Sequence, residues 1–420
     1  MTMPQAYPAT TDPRSHSSPS FDAFFSYGFR PFFLGAAVYA VLLMSVWLLW
    51  VVTAGAGQGA QWLPVAGSPY AWHAHEMVYG FAAAAVAGFL LTAVPNWTGT
   101  LPLSGAPLVV LFAVWISGRA ALALSGFLPA WIAAGIDILF IPLLGGTAAR
   151  QLFTKPAVKN LIFLVFLGVL ALGNIVFHLG TLGIVSIDPL AIVRAALLMV
   201  AALIAIIGGR IIPAFTHNWL HLNGVAGPMP RRIGWIDALS IFSIATYALL
   251  QASGGPSILV GSVALVAAVI NAVRLSLWRG WATRHAPIVW VLHLGYAWMV
   301  AGLLLGAASS LTGSIPAAAA SHAIGTGAIG TMIMGVMSRA SLGHTGRPLV
   351  APQTIVLSYI LVSLAALLRV AGPLAAPQFL TIEYTMAGIA WIAAFGLFAA
   401  VYGPILTTPR VHMKMARTRG

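Results

Sequence analysis

The sequence predicts an all-α polytopic membrane protein, a helix bundle with about 12 transmembrane helices and both termini on the cytoplasmic side. Of its 420 residues, 60% are apolar and 6% are charged, and the mean hydropathy is +0.95. Because a soluble domain usually carries about 25% charged residues, this chain cannot cover a soluble surface. The net charge of +13 lies in short gaps between apolar runs, so we expect the chain to contact the lipid bilayer and no nucleic acid.

The chain is expected to form a single membrane domain over residues 24–408. A disordered cytoplasmic tail, 1–23, precedes it, because these residues are rich in Pro, Ser and Thr and have no apolar run that could form a signal peptide. A basic cytoplasmic tail, 409–420, follows it. Segments of about 20 apolar residues, the length that crosses ~30 Å of hydrocarbon, give the predicted spans. They are 29–53, 72–96, 104–126, 129–149, 158–180, 189–215, 233–253, 256–279, 286–310, 316–339, 350–372 and 379–406.

The positions of the basic residues predict the orientation. Most of the 20 Lys and Arg residues fall in the tails and in the loops on the same side as the termini. The loop between the first two spans carries no charge. By the positive-inside rule, the termini and the basic loops face the cytoplasm.

The chain has no cysteine, which excludes metal sites that depend on thiolates and covalently attached c-type haem. A bound metal would need His, carboxylate, Met or water as ligands. The 11 histidines therefore become the main candidates.

The segment His73-Ala-His75-Glu76, at the start of the second span, is the densest polar cluster in any span. On a regular helix His73 and Glu76 share a face, whereas His75 points about 200° away from His73. The two histidines could serve two sites, or one could bind a metal while Glu76 orients the other. Alternatively, these residues bind no metal and are ordinary polar side chains at the membrane interface, where the helix begins. His178 lies at a similar depth, at the end of the fifth span.

His322, in the tenth span, is surrounded by small residues, which leave room for a large flat ligand or for another helix. His293 lies on the neighbouring ninth span, so the two imidazoles could hold a haem iron from opposite sides. His217 and His221 have the i, i+4 spacing of a metal site, but they lie at a membrane surface where histidine needs no ligand. We assign these two residues no role.

Opposite charges at equal depth predict three structural ion pairs inside the membrane. The pairs are Arg119 with Asp137, Arg210 with Asp237, and Arg369 with Glu383. Arg210 could instead hold an anion such as a haem propionate. The glycines Gly302 and Gly306, and the G-x-G-x-x-G beginning at Gly325, are predicted to allow close helix packing. A dinucleotide fingerprint would need a preceding strand.

Several motifs in a fixed order resemble the NnrS family of bacterial membrane proteins. They are FSYGFRPFF at 25–33, WHAHEMVYG at 72–80, AVPNWTG at 93–99, GGRIIPAFT at 208–216 and SRASLGHTGRPL at 338–349. The resemblance covers nearly the whole chain, from about Phe24 to the last span.

This resemblance implies a multi-pass protein of the bacterial cytoplasmic (inner) membrane that contains noncovalent, His-ligated haem b and, as a second candidate, copper. It also implies a link to nitric oxide metabolism and to tolerance of nitrosative stress in denitrifying and pathogenic bacteria. Carried over onto this sequence, the family's motif histidines are the candidate metal ligands, with Glu76 and Arg210 as accompanying polar residues. These histidines are His73, His75, His293, His322 and His344.

Two functions are compatible with the sequence. The first is a haem protein that binds nitric oxide or, as an oxidoreductase with an unknown electron donor, reduces it. In that function His75, His293, His322 and Arg210 would bind haem, and Glu76 would deliver protons. The second is a transporter that exports a metal, haem or a metal–nitrosyl complex, since twelve spans with both termini inside is a common carrier layout. We favour the first, because nitric oxide is small and uncharged and needs no polar channel.

Overall fold

The computed structural model describes residues 18–55 and 62–411, and these residues form helices and no strand. Twelve helices are long and apolar enough to cross a bilayer, which confirms the predicted fold class. They are α1 Phe29–Ala54, α2 Pro69–Thr98, α3 Ala106–Ala123, α4 Ala130–Leu152, α5 Val158–Thr181, α6 Pro189–Leu222, α7 Gly234–Ala252, α8 Ser257–Ser276, α9 Pro287–Thr312, α10 Ala317–His344, α11 Gln353–Ala375 and α12 Pro377–Thr407.

Each helix lies on one of the predicted spans, and most ends agree within a few residues. The largest difference is at α6, which continues to Leu222 instead of ending at 215. Pro213 lies inside this helix and does not end it. A transmembrane helix tolerates proline because neighbouring groups satisfy the freed backbone atoms.

The start of α1 and the end of α12 lie together at one end of the bundle. The backbone N–H of Ser20 donates to the carbonyl of Thr407 at 3.0 Å, and the Arg30 guanidinium donates to the carbonyls of Leu406 and Thr408 at 2.8 and 2.6 Å. We call this end, where α1 begins, the basic face, and the other end the opposite face.

Part of the tail that was predicted to be disordered is ordered. Phe21–Phe24 forms a short helix, and the Ser20 hydroxyl caps it by accepting from the backbone N–H of Ala23. The contact with Thr407 and the Phe24 and Phe25 rings hold this segment against the bundle, which composition alone does not reveal. Residues 1–17 and 412–420, with His16 and His412, lie outside the described residues.

Helices α2 and α10 form the centre of the bundle. In the most apolar 18-residue stretch of each span, 83% of the residues are buried in α2 and 72% in α10. In every other span this fraction is 56% or less. Both helices pack against α1 and α6, and α12 closes the ring against α1. Both also contain a π-helical segment, Glu76–Ala82 in α2 and Ala323–Gly330 in α10. Each segment begins directly after a histidine, and such segments are rare and frequently mark functional sites.

The glycines of α9 and α10 allow close packing, as the sequence predicted. A Cβ at Gly302 would lie 3.0 Å from the backbone N of Ile324, and one at Gly327 would lie within 2.8 Å of the Trp298 ring. The G-x-G-x-x-G segment is part of the π-helical segment of α10, so its role is packing between helices.

Candidate functional site

The two histidines at the start of α2 face different surroundings. His73 lines a large cavity between α2 and the helices α1, α6, α10, α11 and α12. His75 is fully buried on the other side, among polar side chains of α3, α4 and α5. The sequence left open whether His73 and His75 serve two sites, and the structure places them in two separate environments.

The large cavity has a volume of about 760 Å³ and lies in the half of the bundle nearer the opposite face. Pockets of roughly 300–1,000 Å³ accommodate cofactors and other small molecules. Aromatic side chains form much of its wall: Trp47, Trp50, Tyr70, Tyr384 and Trp391. Its polar side chains include two histidines and two arginines: His73, His322, Arg194 and Arg369. This arrangement suits a large, flat, mainly apolar ligand that carries negative groups.

Both cavity histidines keep a ring nitrogen free for a ligand. His322 Nδ1 donates to the carbonyl of Ala318, one turn earlier, at 2.7 Å, which leaves Nε2 as the acceptor nitrogen. The His73 ring stacks on Trp47 with centroids 4.2 Å apart, and its buried Nδ1 has no hydrogen-bond partner among the described residues. A metal-binding imidazole usually donates its other N–H in the way that His322 does.

The predicted ion pair between Arg369 and Glu383 is wrong. The Arg369 guanidinium lies 4.1 Å from the centroid of the Tyr384 ring, and the buried Oε2 of Glu383 has no hydrogen-bond partner among the described residues. The Glu383 carboxylate instead packs beside Gly372, about one turn further along α11. Arg369 is therefore available to a ligand in the cavity.

The predicted pair between Arg210 and Asp237 is also wrong. Arg210 donates to the carbonyl of Lys159 at 2.9 Å and lies outside the large cavity. Asp237 instead accepts from Arg274 Nε at 2.7 Å and from Arg232 at 3.0 Å. Arg274 lies within the predicted span 256–279 and was not among the predicted partners of Asp237. The missed signal is Gly209, whose lack of a side chain makes the space that the Arg274 guanidinium fills.

The predicted pair between Arg119 and Asp137 is confirmed, and it belongs to a larger network. Arg119 donates to Asp137 Oδ1 and also to Glu76 Oε1, the latter at 2.7 Å. The Tyr39 hydroxyl donates to Glu76 Oε2. Gly80 lies beside the Arg119 guanidinium, where a Cβ would clash, so this glycine of α2 makes room for the cation of α3.

The hydrogen bonds indicate the charge of His75. Asn174 Nδ2 donates to Asp137 Oδ2 at 2.9 Å, which leaves the Asn174 amide oxygen facing His75 Nε2 at 2.7 Å. His75 Nδ1 lies 3.0 Å from Glu76 Oε1. Both ring nitrogens therefore face atoms that only accept, as an imidazolium requires. With Arg119, this imidazolium balances the two carboxylates of the network.

His75, Asp137 and His178 each place one ligand atom within 4.8 Å of the others, a spacing that could hold a metal ion. In the observed arrangement, however, His178 Nε2 donates to Asp137 Oδ2 at 2.9 Å, and Arg119 pairs with Oδ1. The nitrogens thus donate protons, and the carboxylate already has a cationic partner. The cluster is a closed ion-pair network and does not offer a free set of metal ligands.

His293 and His344 do not join either cluster. His293 Nε2 lies 2.8 Å from the Thr216 hydroxyl. It is the seventh residue of α9, which begins at the basic face, whereas His322 is the sixth residue of α10, which begins at the opposite face. The two imidazoles are therefore at opposite ends of the bundle and cannot hold one iron. His344 packs against the rings of Tyr27 and Phe29 at the basic face.

His217 and His221 are exposed, and their rings stack with centroids 6.3 Å apart. They lie near the end of α6, away from the large cavity.

A comparison with protein-family models matches residues 23–410 to the family described as NnrS protein. This match covers nearly the whole chain. A search of curated proteins gives no match.

Proposed function

Because this chain belongs to the NnrS family, and that membership links it to a nitric-oxide-related function, we propose that it is a haem protein of the bacterial cytoplasmic membrane that binds nitric oxide and contributes to nitrosative-stress tolerance. The observation that carries the proposal is the 760 Å³ cavity in which His73 and His322 each keep a nitrogen available. When bound there, haem supplies an iron with a coordination position that nitric oxide can occupy.

His322 is the proposed principal iron ligand. Its hydrogen bond to the Ala318 carbonyl fixes the orientation of the ring and leaves Nε2 as the unprotonated nitrogen that can bind iron. His73 is proposed to lie beside the open coordination position without binding the iron, and Trp47 holds its ring in place by stacking. The apolar and aromatic wall of the cavity excludes water from the bound group.

Arg369 and Arg194 are the proposed partners of the two haem propionates, because both line the cavity and, among the described residues, neither is paired with a buried carboxylate. In the part of the chain that the structure describes, the carboxylate partner of Arg194 is the half-exposed Asp188, at 3.2 Å. This assignment replaces Arg210, which lies outside the cavity.

We expect Arg369→Leu to lower haem retention during purification by about tenfold, since a charge-assisted bond to a propionate is worth roughly 1.5–3 kcal/mol. The matched variant Arg210→Leu should retain haem as the wild type does. The measurement is the haem-to-protein ratio of each purified variant. Equal retention in both variants would contradict the arginine assignment.

The geometry supports binding of nitric oxide better than its proton-coupled reduction. Glu76, the candidate for proton delivery, does not line the cavity. It is held on the other side of α2 by Arg119, His75 and Tyr39. Its role in this arrangement is to hold α1, α2 and α3 together.

The proposal does not include copper. The cluster of His75, Asp137 and His178 does not fit a copper ion, because its nitrogens act as donors and its carboxylate is paired with Arg119. Copper would require both the ion pair and these hydrogen bonds to open.

The test is an anaerobic optical spectrum of the purified full-length protein with and without nitric oxide. We expect about one noncovalent haem per chain and a Soret band that shifts when nitric oxide is added. Protein that remains folded and haem-free after expression with ample haem would contradict the proposal and favour the transporter alternative.

A further inference from the structure

A second, smaller cavity lies near the middle of the bundle, between α1, α2, α6 and α10. Its volume is about 70 Å³. Every lining residue is apolar, including Phe33, Ala85, Val200, Ile204 and Met332. Because no polar side chain faces this space, a water molecule inside it would find no side-chain hydrogen-bond partner. Such cavities stay dry and bind apolar guests such as xenon.

The same face of α6 lines both cavities. Val193 and Leu197 line the large cavity, and Val200, Ile204 and Ile207 line the small one. These residues recur every three or four positions, which is the spacing of a single helix face. Only about 4.5 Å along the axis, three residues at 1.5 Å, separates Leu197 from Val200.

The facing side of α10 shows the same continuity. His322 and Thr326 line the large cavity, and Ile329, Ile333 and Val336 line the small one. The two cavities are therefore successive openings along one seam between α6 and α10. The π-helical segment Ala323–Gly330 contributes lining residues to both cavities.

The small cavity borders on the outer surface of the bundle. Phe89, Ile207, Ile333 and Val336 are half-exposed lining residues within membrane-spanning segments. Their exposed sides therefore face lipid. Gly208 keeps the space open, because a Cβ at this position would come within 3.2 Å of Met332 Cε.

We propose that this small cavity is an access site for uncharged diatomic molecules, which enter it from the lipid between α6 and α10 and pass along the seam to the large cavity. A diatomic molecule dissolves in hydrocarbon and needs no hydrogen bond, so it matches the apolar wall. The volume of 70 Å³ is less than a tenth of that of the large cavity and excludes haem. Delivery to an iron depends on the proposed haem site, whereas occupancy of the small cavity does not.

The first test uses xenon as the probe and does not depend on haem. Crystals of the full-length protein pressurised with xenon should show anomalous density between Val200 and Ile333. A lipid acyl chain in that position, or xenon bound at other places with none in this cavity, would overturn the proposal.

The second test fills the cavity. The variants are Val336→Phe, at the rim of the small cavity, and Val200→Phe, inside it. Each should slow the association of nitric oxide with the ferrous haem, measured by flash photolysis, by about tenfold. This change corresponds to an increase of about 1.4 kcal/mol in the activation barrier. The haem content and the Soret band should stay unchanged, because neither residue lines the large cavity.

The matched control is Val165→Phe, since Val165 is 65% exposed on α5 and lines neither cavity. It should bind nitric oxide at the wild-type rate. If Val336→Phe and Val200→Phe also bind at that rate, the proposed route is wrong. If the purified protein contains no haem but still binds xenon in the small cavity, the haem proposal is contradicted and the access-site proposal is not.

Discussion

Replacing His322 by alanine should remove most of the haem while the protein remains in the membrane. The imidazole Nε2 of His322 is the proposed iron ligand. Without it, His73 is the one histidine left among the residues that line the cavity. Substituting even an outer-shell partner of a metal ligand typically costs 10–100-fold in metal affinity, so the loss of the ligand itself should cost at least about tenfold. The measurement is the haem-to-protein ratio and the Soret band of the purified variant.

Histidine variants elsewhere serve as controls. His221→Ala should keep the wild-type spectrum, because His221 is exposed and far from the cavity. His73→Ala should shift the spectrum, whereas His75→Ala should lower stability and leave the Soret position unchanged. If His75→Ala removes haem and His322→Ala does not, the haem site lies in the buried network and the cavity assignment is wrong.

Arg119→Leu should have the largest effect on stability. Arg119 is 6% exposed and is the only arginine within bonding distance of the buried carboxylates of Glu76 and Asp137 among the described residues. Removing one partner of a buried pair costs about 3–5 kcal/mol, because the remaining charge is left uncompensated. We expect a sharp fall in folded yield and in the thermal midpoint of the detergent-purified protein.

The double variant Arg119→Leu with Asp137→Asn should recover part of this loss. It leaves one imidazolium, His75, opposite one carboxylate, Glu76, so the network becomes neutral again. Arg232→Leu is the matched control: its pair with Asp237 is half-exposed, and such pairs contribute about 0–1 kcal/mol. If the double variant is no more stable than Arg119→Leu alone, the charge-balance argument fails.

The pattern of apolar runs predicted the spans, because the bilayer leaves little choice. A helix must bury about 20 apolar residues to cross the hydrocarbon, and only a helix satisfies its backbone hydrogen bonds there. The separation of His73 from His75 also follows from the sequence, since about 100° of rotation per residue places them on different faces of α2. The family motifs resembled NnrS proteins, and the family match confirms this.

Depth along a span was predictable, but depth alone does not define a contact. Arg119 and Asp137 lie at equal depth and do pair. Arg369 and Glu383 were also predicted to lie at equal depth, yet Arg369 lies against the Tyr384 ring and the Glu383 carboxylate packs beside Gly372. Sequence gives the position along a helix axis, whereas a salt bridge also requires the right helix face and the right neighbour.

The sequence by itself determined the twelve spans and the candidate histidines, because these depend on hydrophobicity and on residue type. Only the tertiary structure decided which of those histidines share a site. His73 and His322 both line the large cavity although 249 positions separate them along the chain. Packing of α2 against α6 and α10 creates that cavity, and such contacts depend on how distant helices fit together rather than on the local pattern of any one of them.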